Sequence, residues 1–154
     1  IGGVETHLSI LCPELVKRGH KVSLLTGAVE GTAQHYVWNG IDITRTPLMD
    51  LNWLYERGIE QLGSDIRNKY SKFLDRVRPD IIHAHNMHYF SKLHIKLLER
   101  TAKTRGIPLI LTAHNSWDDS MCLDICRGID WGHIIAVSHF ISGNCAGLAC
   151  RQIK

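Results

Sequence analysis

The sequence predicts an α/β fold, a Rossmann-like parallel sheet with helices on both faces. Two observations support this prediction. Short apolar runs typical of buried strands alternate with segments of helical periodicity, and glycine or proline separates most of them. The chain has 154 residues, which is enough for one domain with its own core. We therefore expect a single domain over residues 1–154.

The first elements are a helix and a strand. Helical spacing of apolar residues predicts a helix over residues 3–18, which Gly19 ends. Pro13 lies inside this helix and predicts a kink, with its ring on the solvent side. The run at residues 21–26 is bounded by glycines, which predicts a buried strand.

A hairpin and a long helical stretch follow. Residues 35–38 and 41–46 alternate in polarity around Asn39-Gly40, a pair typical of a two-residue turn. Residues 51–78 are predicted to be largely helical, with weak points at Gly58 and Gly63.

The second half of the chain predicts three buried strands and two helices. The strands are expected at residues 80–84, 107–113 and 133–137, and the helices at 89–105 and 139–149. Residues 115–128 are either a loop or a short helix. In parallel sheets of this kind, ligands bind at the carboxyl ends of the strands.

Composition excludes several function classes. Apolar residues make up 44% and charged residues 21%, as in ordinary globular proteins, and the formal charge of +3 is too small and scattered for a nucleic-acid partner. No apolar run reaches the roughly 18 residues of a spanning helix. An odd count of five cysteines indicates reduced thiols and predicts a cytoplasmic protein.

A glycine pair opens the first helix. Gly2 and Gly3 let the backbone approach a ligand closely, and the N–H groups and dipole of a helix start favour an anion such as a phosphate or diphosphate. The alternative is a plain glycine turn before a helix.

Three histidines follow the spacing H-x-H-x-x-H, namely His83, His85 and His88. This spacing occurs in some binuclear metal-dependent hydrolases, which usually carry an acidic residue where Met87 stands. His83 and His85 point to the same face of a strand. In the alternative interpretation His83 is buried and hydrogen-bonded, while His85 and His88 line a cleft.

Two further polar positions follow strand ends. His114, in the motif Thr112-Ala113-His114-Asn115, is placed to hydrogen-bond a sugar hydroxyl or a phosphate oxygen, or to act as a general base. The alternative for His114 is a capping role. Ser138 follows the last predicted strand, where a helix N-cap is its primary role and ligand contact a secondary one.

The remaining reactive residues give weaker signals. Cys122-x3-Cys126 and Cys145-x4-Cys150 differ from the usual C-x2-C spacing of metal sites, and buried apolar cysteines are the alternative. Trp117 follows the His114 motif closely and is a candidate acceptor platform.

The motifs in their order resemble a known family. GGVETH, LVKRGHKVSLLT, RPDIIHAHN, PLILTAHN and D-x4-IIAVS are together similar to the N-terminal, acceptor-side domain of family 4 glycosyltransferases, which have the GT-B fold. The resemblance runs from Ile1 to about Ser142, and residues 28–78 and 118–128 match only loosely.

The resemblance implies an activity and a set of site residues. Such enzymes move a sugar from a nucleotide-sugar donor to an acceptor, usually with retention and without an essential metal or cofactor, in a cleft between two Rossmann-like domains. The resemblance implies that the glycine loop, here Gly2 and Gly3, binds the donor diphosphate. His114 is implied as the catalytic residue near the transferred sugar. Acceptor or sugar contacts are implied for His7, His85, Asn86, Asn115 and Ser138.

Two departures from the family pattern lead to further expectations. The strand that normally precedes the glycine loop is absent, and so is the C-terminal donor domain. The resemblance thus implies a fragment truncated at both ends and inactive alone, or a half that pairs with a separate donor-domain chain. The acceptor is expected to be a sugar or a lipid-linked molecule. Peripheral contact with the inner face of a membrane is expected if Lys69, Lys72, Arg76 and Arg78 form a binding surface instead of a solvated helix face.

Overall fold

A computed structural model describes residues 2–115, 124, 127–144 and 150–152. The chain forms two packed units, Ile1–Val77 and Arg78–Lys154, and each is described by itself. In both units helices alternate with strands, and the second contains an all-parallel sheet. These features confirm the α/β, Rossmann-like class.

The first unit begins with the predicted helix and strands. Helix α1 spans Gly3–Lys17, strand β1 Val22–Gly27, strand β2 His35–Trp38 and strand β3 Ile41–Thr46. Each boundary lies within one residue of its prediction. The helix continues through Pro13, whose side chain is half-buried and not fully exposed to solvent.

The three strands form a mixed sheet in the order β1-β3-β2. β1 runs parallel to β3, and β2 pairs antiparallel with β3, with Trp38 opposite Ile41. Asn39 and Gly40 connect β2 and β3 with φ angles of 49° and 78°. Two successive left-handed residues are the signature of the type I′ turn, whose twist suits a hairpin. The hairpin prediction is therefore confirmed.

The core of this unit forms where α1 packs on the sheet. Cys12, Ile41 and Ile43 are buried together, and Leu8, Val16, Val22, Leu24 and Tyr36 pack against them. All six residues of β1 are only half-buried. The strand predicted at residues 21–26 is present, but the prediction that it is buried is wrong. β1 pairs with β3 alone among the described residues, as expected of an edge position.

The long predicted helix is divided into two. Helix α2 spans Leu51–Arg57 and helix α3 spans Gly63–Val77, with a short 3-10 helix at Ile59–Leu62 between them. Gly58 ends α2 in the left-handed conformation, with φ at 76°. Glycine adopts this conformation without the steric penalty of a side chain, so the break falls there.

The second unit contains the parallel sheet. Its order is β4-β5-β6-β7, with every described pair parallel. The strands and helices are β4 Ile82–His85, α4 Lys92–Lys103, β5 Leu109–Ala113, β6 His133–Ala136, α5 His139–Asn144 and β7 Cys150–Gln152. Strand β7 was not predicted.

Burial is greatest in β5, which has a strand on each side. Leu111 and Ala113 have no exposed surface and Thr112 is 1% exposed. β4 lies at the edge of the described sheet, and only Ala84 in it is buried, so the predicted buried strand at residues 80–84 is half-buried. Ser91 caps α4 by accepting a hydrogen bond from the His94 N–H.

No helix in the described ranges has both the length and the apolar character needed to cross a bilayer. Most of the predicted loop or helix at 115–128 and the end of the predicted helix at 139–149 lie outside those ranges.

Candidate functional site

Two histidines meet at the carboxyl ends of β4 and β5. The parallel register pairs His85 with Thr112, which places His114 just beyond the end of β5. Nδ1 of His85 and Nε2 of His114 lie 3.1 Å apart, within hydrogen-bond distance. Both side chains are half-buried. The structure thus brings together two of the side chains that the sequence singles out.

His83 supports this pair from within the strand. Its Nε2 lies 2.6 Å from Oγ1 of Thr112, which is almost completely buried. Its ring lies against that of His85, with centroids 4.2 Å apart. The prediction that His83 and His85 share one face is confirmed, and the contact with Thr112 agrees with a hydrogen-bonded, structural His83.

Asn86 joins the two strand ends. It is left-handed, with φ at 52° and ψ at 21°. Its backbone N–H donates to the carbonyl of Thr112 at 3.0 Å, and its Oδ1 accepts from the backbone N–H of His114 at 2.9 Å. The Asn86 side chain therefore binds the backbone of His114.

His88 is placed differently from the prediction. It has no exposed surface, so it does not line a cleft. Burial lowers the pKa of His88 to about 4; a hydrogen bond with the backbone of Asn115 opposes this shift, and the neighbouring His114 adds to it. His88 is thus a neutral core histidine at neutral pH.

The histidine spacing does not produce the metal site considered from the sequence. Across the described residues, His83, His85 and His88 do not form a group whose ligand atoms converge. His83 faces Thr112, and His88 is in the core. The hydrolase interpretation built on these three residues is therefore not favoured.

Ser138 begins the helix after β6. Its Oγ accepts from the backbone N–H of Ile141 at 3.2 Å, which confirms the N-cap role. The preceding Val137 N–H lies 3.4 Å from the carbonyl of Ala113, so this turn adjoins the end of β5. Asn115 follows His114 and is exposed.

The other predicted site residues belong to the first unit. Gly2 is the N-cap of α1, and Gly3 is its first residue. A Cβ at Gly2 would lie 2.7 Å from Oε2 of Glu5, so this carboxylate already lies against the helix start. An anion at this position requires the exposed Glu5 side chain to turn aside, since like charges repel. His7 is half-buried in α1.

The comparison with protein families agrees with these features. The chain matches the family model described as Glycosyltransferase Family 4 over residues 1–149. The chain belongs to this family. The resemblance stated from the sequence motifs is confirmed, and the chain is a domain of glycosyltransferase type. No curated protein and no solved structure matches it.

In this family 4 domain, sequence reasoning missed the role of Thr112. A threonine in a buried strand gives no signal of its own. Its position opposite His85 could be found only by aligning the strands at 80–84 and 107–113 in parallel register. The side chains of Trp117, Cys122, Cys126 and Cys145 lie outside the described residues, as does that of Cys150 in β7.

Proposed function

We propose that the chain is the N-terminal, acceptor-side domain of a glycosyltransferase that moves a sugar from a nucleotide-sugar donor to an acceptor, with retention. The observation that supports this proposal best is the pair of His85 and His114 at adjoining carboxyl ends of parallel strands in a family 4 domain. Rossmann-like sheets bind their ligands at this edge.

The chemistry of the pair suits a carbohydrate. A neutral imidazole donates one hydrogen bond and accepts another, and a sugar hydroxyl also does both. Contact between the two imidazoles restricts their rotation, which lowers the entropy lost when a ligand is bound. His114 is the proposed catalytic residue, nearest the transferred sugar, and His85 contacts the acceptor or donor sugar.

The remaining roles follow the family assignment. Gly2 and Gly3 contact the donor diphosphate through backbone N–H groups at the start of α1, with the helix dipole favouring the negative charge. His7, Asn115 and Ser138 contact the acceptor. As the family resemblance implies, no essential metal or cofactor is expected, and the nucleotide sugar is a substrate.

Partners and location complete the proposal. The acceptor is a sugar or a lipid-linked molecule, and a donor domain supplies the other side of the cleft in the cytoplasm. Basic residues on and after α3 are the proposed contact with a membrane surface. Arg76 contributes least to it, because its guanidinium is paired with Asp42 and Thr44.

Sugar transfer by His114 variants tests the proposal. The chain is assayed together with the donor domain, because the chain alone is expected to be inactive. Native protein, His114→Ala and His114→Gln are compared for nucleotide release from a panel of nucleotide sugars, with and without glycolipid and oligosaccharide acceptors. We expect native turnover with one donor and a fall in kcat/KM of about 100-fold in both variants, the size typical of a lost catalytic histidine.

His20→Gln is the matched control, since His20 is exposed in the loop before β1 and has no proposed role. It is expected to keep kcat/KM within about twofold, as most surface substitutions do. Equal thermal unfolding of all variants excludes loss of the fold. Activity in His114→Gln equal to the native value, or no binding of any nucleotide sugar by native protein, would overturn the proposal.

A further inference from the structure

The connection between β4 and His114 depends on one residue in an uncommon conformation. Asn86 directly follows β4, and its φ of 52° lies in the left-handed region. Asparagine tolerates this region better than other residues with a side chain. An extended residue here would carry the chain onward along β4, whereas the left-handed residue lets both its backbone and its side chain face β5.

Asn86 makes two hydrogen bonds to alternate residues of the neighbouring segment. The β4–β5 register ends with His85 opposite Thr112. Beyond it, the Asn86 N–H donates to the carbonyl of Thr112, and Asn86 Oδ1 accepts from the N–H of His114. Oδ1 therefore takes the place of the strand carbonyl that would otherwise continue the ladder.

These two bonds fix the position of the His114 backbone. His114 lies after the last residue of β5, so its backbone is not held by the pairing of β4 with β5. The bond to Oδ1 holds the His114 N–H at 2.9 Å, and the His114 ring then reaches His85 at 3.1 Å. A backbone shift of 1 Å would break an imidazole contact of this length.

We infer that Asn86 is a positioning residue: its side chain holds the backbone of His114 so that the His114 imidazole meets that of His85. This inference rests on the proposed function for its effect on sugar transfer, and it replaces the expectation that Asn86 is a sugar ligand. The amide oxygen acts through His114.

Three substitutions separate the side chain from the backbone conformation. Asn86→Gly keeps the left-handed conformation and removes the acceptor oxygen. Asn86→Asp keeps an acceptor oxygen in the same place. Asn39→Gly is the matched control, because Asn39 is also a left-handed asparagine, with φ at 49°, and lies in the β2–β3 turn of the first unit.

The first readout is NMR of protein labelled with ¹⁵N-histidine, which requires no turnover. The scalar coupling between His85 Nδ1 and His114 Nε2 and the amide shift of His114 are compared among the variants. We expect Asn86→Gly to lose the coupling and to move the amide upfield, while Asn86→Asp and Asn39→Gly retain both. A coupling and an amide shift unchanged in Asn86→Gly would overturn the inference.

The second readout is the kinetics of sugar transfer, measured with the donor domain present. We expect kcat in Asn86→Gly to fall by about tenfold, because misplacement of a catalytic group by about 1 Å costs up to 100-fold. Recovery to within about threefold in Asn86→Asp supports a positioning role. A higher KM for the acceptor, with kcat and the NMR signature unchanged, would instead identify Asn86 as a ligand and refute the inference.

The two readouts separate this inference from the proposed function. Loss of the coupling in Asn86→Gly, together with full activity in His114→Gln, would contradict the proposed function and leave the positioning role intact. An intact coupling in Asn86→Gly, together with an inactive His114→Gln, would contradict the positioning role alone.

Discussion

The two sheets of this domain use the same kind of residue in opposite ways. On the first sheet, His35 contacts Asp42 at 2.6 Å, and Arg76 pairs with the other oxygen of that carboxylate. On the second sheet, His85 contacts a second histidine, His114, at 3.1 Å. The first group pairs a carboxylate with a guanidinium and an imidazole, whereas the second brings two imidazoles together at a strand end.

The difference follows from where each group lies. Asp42 and its partners lie on the face of β3 and on α3, where they tie a helix to a sheet of half-buried strands. The carboxylate interacts with a cation, which satisfies its charge. His85 and His114 lie at the carboxyl ends of strands, the edge at which ligands bind. A histidine therefore indicates function through its position in the sheet, and its partner supports the assignment.

The largest expected difference between the sheets is in packing. Leu111 in β5 has no exposed surface, whereas Leu24, at a comparable position in β1, is half-buried. Leu111→Ala is expected to lower the free energy of unfolding by about 3–4 kcal/mol and Leu24→Ala by about 1–2 kcal/mol, since the cost scales with lost contacts and cavity volume. Urea unfolding measures both. Equal losses would show that the two sheets are packed alike.

Acid should lower the stability contributed by His88 and by Asp42 over different pH ranges. The pKa of His88 is about 4 in the folded state, below its ordinary value of 6.5. The unfolded chain then binds a proton at a pH where the folded one does not. The stability that depends on a neutral His88 is thus fully present above pH 6.5 and is lost as pH falls towards 4. The free energy of unfolding is expected to fall by about 2 kcal/mol between pH 7 and pH 5.

Asp42 responds only at lower pH. Burial would raise the pKa of its carboxyl, but hydrogen bonds from Arg76 and His35 outweigh burial and lower it below 3.8. The stability that Asp42 contributes is present above that value and is lost as pH falls below it.

Urea unfolding at pH 7 and pH 5 tests the assignment of His88. The difference in the free energy of unfolding between the two pH values should be smaller in His88→Gln than in native protein, and unchanged in His20→Gln. A native-sized difference in His88→Gln would refute the assignment.

The smallest expected effect concerns the ion pair of the first sheet. The side chains of Arg76 and Asp42 are 44% and 26% exposed, so water screens their attraction. Arg76→Met is expected to cost at most about 1 kcal/mol, and less in about 1 M salt. Arg67→Met, an exposed change on the same helix, is the matched control. A large fall in the free energy of unfolding of Arg76→Met that does not depend on salt would show that water does not screen this ion pair.

Local rules explain the elements that the sequence predicts well. The hairpin follows from Asn39-Gly40, because two left-handed residues are needed in a type I′ turn and these two adopt that conformation readily. The shared face of His83 and His85 follows from the period of two along a strand. Gly58 is recognised as a weak point, but the sequence does not show that α2 ends there, since glycine is also found within helices.

The errors concern burial and pairing between distant segments. The spacing of His88 places it with the other histidines, yet the structure buries it completely. β1 and β4 have the composition of buried strands but are only half-buried, and β7 is three residues long, too short for a periodic signal. Burial depends on what packs against a strand, and a local pattern does not contain that information.

The sequence by itself determined the family, the alternation of helices and strands, the hairpin turn and the face of β4 that carries the histidines, because each depends on neighbours within a few residues. The tertiary structure alone decided that His85 meets His114, 29 residues away, that Thr112 supports His83 and that Asn86 holds the end of β5. These contacts require the parallel register of two strands separated by a helix, and hydrogen bonds between distant backbones establish that register only when the chain folds.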